Sequence, residues 1–371
     1  MMSNEIVPVT KPYLPSKDKY KQYVDRVYES GWLTNSGPLV KDLESRLAEY
    51  LGVKHVILVA NGSLALQVAY KALNLAGEVV TTPFSFAATT STLNWENLTP
   101  VFCDIESDTF NINPDLIEDL ITEKTSAIVP VHVFGNPCKV NEIQAIANKH
   151  GLKVIYDAAH AFGVDLNKES VLTYGDISTL SFHATKLFHT IEGGAVITQC
   201  DELAAKVRSM INFGITGPDS IEGVGTNAKM NEFEAAMGHC VLDDIESIMT
   251  KRRGLWKSYQ THLSDVLQMQ YWSDSSKPNG AYVPIVFDSE QSLLRAKANL
   301  EANNIFPRRY FYPSLDLVDS YGHEGTPCEV SRSISKRILC LPIYFDLCES
   351  MINKIKKYLK NNEWLQKESL R

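Results

Sequence analysis

The feature that most limits what this chain can fold into is an alternation, kept up through most of its length, of short apolar runs with helical patterns. Residues 55–60 (HVILVA) read as a short buried strand and residues 63–73 as the helix after it. Residues 78–82 and 99–104 read as further strands with a helix between them. Residues 114–122 read as helical, 127–133 (AIVPVHV) as a strand, 140–150 as a helix and 153–156 as a strand again. Continuous apolar strands joined by helices need cover on both faces, which is the arrangement of a parallel sheet with helical crossovers. The expectation is an α/β fold with a mainly parallel sheet in a large domain.

The pattern changes after about residue 240. Residues 243–264 read as one long charged helix, 271–280 (YWSDSSKPNG) as a loop, 281–287 as a strand, 291–303 as a helix and 351–361 as a closing amphipathic helix. This predicts a large domain with an N-terminal arm over residues 1–250 and a smaller α+β domain over 251–371. One segment stands out. Residues 214–226 carry Gly214, Gly217, Pro218, Gly223 and Gly225, and loops of that length are uncommon in compact domains unless functional or disordered.

Charge narrows the partners. Lys plus Arg is 36 and Asp plus Glu 44, a net charge of −8, which gives no electrostatic footprint for a nucleic-acid backbone. No apolar run approaches the roughly 18 residues of a membrane span. Neither nucleic acid nor membrane is expected as a partner. The seven cysteines are scattered without a C-x-x-C pair, and residues 1–10 have neither a basic start nor an apolar stretch. Reduced thiols in a cytoplasm fit this better than a disulfide framework, and no metal site is expected.

Three short stretches could carry chemistry. Asn61-Gly62-Ser63 follows a strand and opens a helix, where backbone amides and the helix dipole favour an anion; Ser63 could equally be a simple helix cap. Asp157, in Tyr156-Asp157-Ala158-Ala159-His160, ends a strand at the edge where open α/β sheets bind ligands. It could hold a protonated ring nitrogen or cap the following helix. Lys186 follows the strand that ends near Phe182, and Glu192-Gly193-Gly194 leads into another apolar strand. Partial desolvation there would lower its pKa and make it a Schiff-base nucleophile. An anion cradle, a strand-end carboxylate and a strand-end amine are together what pyridoxal 5′-phosphate requires.

The motifs Gly31-Trp32-Leu33-Thr34-Asn35-Ser36-Gly37-Pro38, Asn61-Gly62-Ser63, Asp157-Ala158-Ala159-His160, Ser181-Phe182-His183-Ala184-Thr185-Lys186 with Glu192-Gly193-Gly194, and Asn227-Ala228-Lys229-Met230-Asn231-Glu232 resemble the DegT/StrS-type nucleotide-sugar aminotransferases. The resemblance spans nearly the whole chain and implies a fold-type I pyridoxal-phosphate enzyme. It implies that Gly62, Ser63 and Ser181 bind the cofactor phosphate and that Phe86 stacks on the pyridine ring. It further implies that Asp157 pairs with the ring nitrogen, that His160 meets the ring hydroxyl, and that Lys186 forms the Schiff base. Asn227 would reach the phosphate of a neighbouring subunit, so that a homodimer shares its active sites. His183, Lys229, Arg308, Arg309 and Tyr310 are the substrate-binding candidates. His183 and His189 lie near the lysine and could equally be scaffold.

The same resemblance implies L-glutamate as amino donor and a nucleotide-linked keto sugar as acceptor. The stretch from Phe182 to Gly194 is more like the 4-aminating branch than the 3-aminating one. The expected product is therefore dTDP-4-amino-4,6-dideoxy-D-glucose, made for glycan assembly such as O-antigen, with UDP- or GDP-linked sugars as the competing carriers. Lys186 argues against the dehydratase relatives, which have histidine at that place. A non-catalytic sensor on the same scaffold is the alternative of another class.

Overall fold

The computed structural model describes residues 6–322 and 325–360. Two helices, α1 (Lys17–Ser30) and α2 (Pro38–Leu51), precede the first long strand. The N-terminus of α2 has a distant partner: the amides of Leu39 and Val40 donate to the fully buried carboxylate of Glu232, at 2.8 and 3.0 Å. A buried carboxylate is costly unless hydrogen-bonded, and a helix N-terminus supplies unpaired N–H groups for it. Two of the sequence motifs, Gly37-Pro38 and Asn231-Glu232, thus meet in space.

The central sheet has seven strands: β1 (His55–Val59), β2 (Glu78–Thr81), β3 (Thr99–Phe102), β4 (Thr125–Val129), β5 (Lys153–Asp157), β6 (Ile177–Ser181) and β7 (Gly194–Thr198). Their spatial order is β1-β7-β6-β5-β4-β2-β3. β7 runs antiparallel to both its neighbours, and the other pairings are parallel. Alternate residues face opposite sides of a strand, and β1 shows it. Val56 and Leu58 enter the core under α2, whereas Ile57 and Val59 join the core under α3 (Gly62–Ala72). Both faces are covered, as the apolar runs require, with α4 (Ala87–Trp95), α5 (Val140–His150) and α6 (Asp201–Met210) among the covering helices. The C-terminal ends of β1, β5 and β6 lie along one edge, with Asp157 in register with Thr179.

A second core lies beyond Ile245. The long helix expected over 243–264 is α8 (Ile245–Leu263); a separate helix, α7 (Glu232–Asp243), precedes it, and the two are parted at Asp244. The Asp244 carboxylate accepts bonds from Tyr13 and Lys19, at 2.9 and 2.7 Å, which ties this break to the N-terminal arm. Ile245, Ile248 and Met249 face the large core, while Leu255, Trp256, Tyr259 and Leu263 face the second. There they meet a three-stranded antiparallel sheet of Gln268–Met269, Pro284–Val286 and Ile338–Cys340, with residues of the helices Glu290–Ala302 and Glu349–Lys360. The N-terminal strand Val7–Pro8 pairs in parallel with Ile305–Phe306, so the arm reaches this second core.

Three local expectations are corrected. Residues 114–122 form two short 3-10 turns, Pro114–Leu116 and Glu118–Leu120, because only Pro114 and Ile117 are buried there and no apolar stripe exists to hold an α-helix. The strand expected over 127–133 ends at Val129, before Pro130, which has no N–H for the ladder. The glycine-rich segment 214–226 contains a small hairpin, Ile215–Gly217 with Ser220–Ile221. The end of the closing helix at Asn361 lies outside the described residues. Among the described residues, no helix is long and apolar enough to cross a membrane, and no cluster of side chains could hold a metal ion.

Candidate active site

A cavity of about 320 Å³ opens at the strand edge where β1, β5 and β6 end. Its floor is built by Asn61, Gly62 and Ser63 after β1, by Asp157, Ala159 and His160 at and after the end of β5, and by Ser181, His183, Thr185 and Lys186 at and after the end of β6. Its far wall comes from the second half of the chain, through Tyr282, Arg308, Tyr310 and Phe311. The topology therefore gathers three stretches that are far apart in sequence.

At one end of the cavity stands the N-terminus of α3. The helix cap is Asn61, whose Oδ1 accepts the Leu64 N–H at 2.9 Å, and not Ser63. The Ser63 hydroxyl is left at the cavity wall, beside amides with no carbonyl four residues earlier in the helix. Gly62 presses on the end of β6: a Cβ there would stand 2.9 Å from the Ser181 Cβ and 3.2 Å from its Cα. Only a residue without a side chain lets this cradle close.

At the other end lies Asp157, buried and heading no helix. One carboxylate oxygen accepts the Thr89 hydroxyl at 2.7 Å, and the other accepts the Ala159 N–H at 3.2 Å. Thr89 in turn shares a 2.8 Å bond with Ser85, so a buried hydroxyl chain backs the carboxylate. Burial pushes the Asp157 pKa up; the bonds from Thr89 and Ala159 and the charge of Lys186 oppose that. His160 is buried with its Nδ1 unpartnered, and burial holds its pKa well below the usual value, so the ring is neutral. It stacks on Phe134 and Phe311, with centroids at 6.2 and 6.0 Å. Phe86 is 55% exposed yet lines the cavity, a large aromatic face left open there.

Lys186 sits between these ends. Its stem is only partly covered, yet its amine lies inside the cavity, donating to the Tyr282 hydroxyl at 3.5 Å. Burial lowers its pKa to about 8, with Asp157 pulling the other way. An amine with that pKa is a nucleophile at neutral pH, which an ordinary surface lysine is not.

The remaining candidates divide. His183 and Glu192 line the cavity mouth and approach each other to 3.5 Å, and Arg308 and Tyr310 line its wall, with the Arg308 guanidinium 4.8 Å over the Tyr310 ring. Arg309 does not join them. It turns away to Glu290, at 2.6 Å, and to the Lys336 carbonyl, at 3.0 Å. His189 is scaffold: one ring nitrogen meets the Tyr13 carbonyl at 2.7 Å and the other accepts the Ile191 N–H. Asn227 and Lys229 lie outside this chain's own cavity. Asn227 is exposed and bridges Asn212, while Lys229 donates to Asn212 at 2.9 Å. Reading the sequence missed Thr89, Thr179, Tyr282 and Phe311. Of these only Thr89 had a local signal, lying three residues after Phe86 at the start of a helix (Ala87–Trp95).

An anion cradle, a hydrogen-bonded buried carboxylate and a nucleophilic amine in one cavity are the parts of a carbonyl–amine exchange site. A curated relative from Shigella dysenteriae, named dTDP-4-amino-4,6-dideoxy-D-glucose transaminase, is 41% identical over 94% of this chain and 96% of its own. A protein of the same name from Escherichia coli is 40% identical over 96% and 99%. The solved structure of DesI in the presence of its TDP-sugar product superposes with a TM-score of 0.90 at 34% identity, over 95% of this chain and 92% of that one. The model of one family matches from residue 16 to residue 360, and with likeness this high from end to end the chain belongs to the DegT/DnrJ/EryC1/StrS aminotransferase family.

Proposed function

We propose that this aminotransferase carries pyridoxal 5′-phosphate and moves the amino group of L-glutamate to C-4 of dTDP-4-dehydro-6-deoxy-D-glucose, giving dTDP-4-amino-4,6-dideoxy-D-glucose and 2-oxoglutarate. The observation that carries the chemistry is the Lys186 amine, its pKa brought down to about 8, in one cavity with a helix N-terminus and a buried carboxylate. The choice of sugar and carrier is supported by the two relatives named for that product.

The residues present fit the cofactor. The amides of Gly62 and Ser63 and the hydroxyls of Ser63 and Ser181 would hold its phosphate, since a helix N-terminus is a ready anion site. Asp157, kept from water and fixed by Thr89, would pair with the ring nitrogen and keep it protonated. The orphaned Nδ1 of His160 would meet the ring hydroxyl, and Phe86 would cover a ring face. Bound there, the cofactor supplies an electron sink for the carbon that loses its proton. The chain's own part is to place the Lys186 amine, which would hold the cofactor through its aldehyde and, when free, would take and return that proton as a general base. Arg308, Tyr310 and His183 would orient the substrates at the mouth; Arg309, paired elsewhere, has no part in this.

We further propose that Asn227 and Lys229 serve the cavity of a second copy, so that the active unit is a homodimer with shared sites. Their position outside their own cavity supports this. The two-domain division near residue 250 and a cytoplasmic location belong to the same reading, the latter supported by seven unpaired thiols. The test is a panel of dTDP-, UDP- and GDP-linked 3-keto and 4-keto 6-deoxysugars, with glutamate, read by mass spectrometry and product NMR. Preferred turnover of a 3-keto isomer or of a UDP- or GDP-linked sugar would overturn the assignment, and a galacto product would overturn its stereochemistry.

A further inference from the structure

The cavity wall contributed by the second half of the chain holds a phenol that neither the sequence motifs nor the proposed cofactor contacts account for. Tyr282 is the side chain to which the Lys186 amine donates, at 3.5 Å. Its ring packs against His160, Phe134 and Tyr310, at centroid distances of 4.5, 5.3 and 5.8 Å. The segment that delivers it is braced to an unusual degree. Asn279 donates to the carbonyls of His160 and Phe162 at 2.9 and 3.0 Å, and its Oδ1 accepts the Ala281 N–H at 2.9 Å. Buried Arg252, on α8, donates to the carbonyls of Gly280 and Ala281, both at 2.9 Å. Gly280 has φ of +76°, and a Cβ there would stand 2.6 Å from the Arg252 carbonyl carbon, so the backbone can pass only as glycine.

This brace spends a buried guanidinium, a buried amide and a left-handed glycine on fixing one side chain. It joins the loop after Asp157, the helix α8 and the edge of the second core, and its product is a phenolic oxygen beside the lysine. We infer that Tyr282 is a positioning residue for Lys186: its hydroxyl holds the amine at the cavity centre, facing the space between the anion cradle and Asp157. Burial holds the Tyr282 pKa far above its ordinary value, so it remains a phenol through the working range. A phenol accepts a bond from the ammonium and donates one to the free amine, and so serves Lys186 in either protonation state. The inference rests on the reading that Lys186 carries the cofactor.

Tyr282→Phe keeps the ring and its packing and removes only the hydroxyl, which separates positioning from core filling. Full-length protein stripped of cofactor is mixed with pyridoxal 5′-phosphate, and the absorbance that appears as the amine nitrogen bonds to the aldehyde carbon and water leaves is followed in time. The same variant is titrated with pyridoxamine 5′-phosphate, which has no aldehyde and makes no bond to Lys186. Loss of one positioning hydrogen bond should slow capture of the aldehyde about tenfold, while the affinity for the amine form stays within about twofold. Equal capture rates in the two proteins would overturn the inference. A parallel loss of both quantities, or a drop in melting temperature that accounts for the slower rate, would make Tyr282 a packing residue and overturn it as well. If the parent protein itself never develops the band, the cofactor reading fails instead, a distinct result.

Discussion

Replacing Thr89 by Val tests the electrostatics of the site most directly. Thr89 is fully buried, donates at 2.7 Å to the Asp157 carboxylate, and Val has nearly its shape without the hydroxyl. A hydrogen bond to a charged group contributes about 1.5–3 kcal/mol. Asp157 is already pushed above the ordinary carboxylate range by burial, with Thr89 opposing that push. Removing the opposition raises it further, so the ionised form is lost first at the acid end. At about 1.4 kcal/mol per pH unit, the midpoint below which cofactor binding weakens should move up by about one to two pH units. The assay is a titration with pyridoxal 5′-phosphate, read by absorbance between pH 5 and 9, for the parent protein, Thr89→Val and Thr89→Ser. The parent and the serine variant should coincide, and the valine variant should match them only at high pH. Curves for the valine variant that run parallel to the parent's at every pH would refute the reasoning, since a pure packing defect has no such dependence.

In cofactor-free protein Lys186 should react with a small amine-directed reagent at a rate that rises with pH, reaches half its maximum near pH 8 and levels off above about pH 9, as peptide mass spectrometry would show. At pH 7 about one tenth of it is the free amine, against roughly one part in 3,000 for an ordinary lysine, and a rate still climbing at pH 10 would contradict this. Gly62→Ala forces a methyl group against Ser181, an overpacking of about 1–3 kcal/mol. Affinity for pyridoxal 5′-phosphate should fall about tenfold or more, while that for pyridoxal, which has no phosphate, is little changed. Lys186→Ala and Asn227→Ala chains, each inactive alone, should recover activity when mixed, because both lesions fall in one composite site of the heterodimer and leave the other whole. No recovery in proven heterodimers would count against shared sites.

Much of this molecule is written locally. Runs such as HVILV and GAVIT can be covered only inside a sheet, and the helix Val140–His150 matches its apolar spacing residue for residue. Strand ends are equally local, and in a sheet with parallel neighbours they share an edge, so Asn61, Asp157 and Lys186 could be expected together before any coordinates existed. Where local signals were weak, the reading slipped. Residues 114–122 read as a helix, but with only Pro114 and Ile117 buried nothing holds more than two short 3-10 turns there.

The rest depended on which distant surfaces pack together. Asn61 rather than Ser63 caps α3, and that is what leaves the serine hydroxyl to the cavity. Thr89 lies in a polar stretch that reads as nothing special until the sheet sets it 2.7 Å from Asp157. Arg308 and Arg309 are indistinguishable as neighbours in a sequence; one faces the cavity and the other is drawn off by Glu290. Tyr282 meets Lys186 from nearly a hundred residues downstream, carried there by a brace whose members lie on α8, after β5 and before a strand of the second core. Secondary structure follows from the period of the apolar residues, which neighbours in the chain decide. Hydrogen-bond partners and the pKa of a buried amine follow from desolvation and from what stands within about 3 Å, and only the packed tertiary structure sets those.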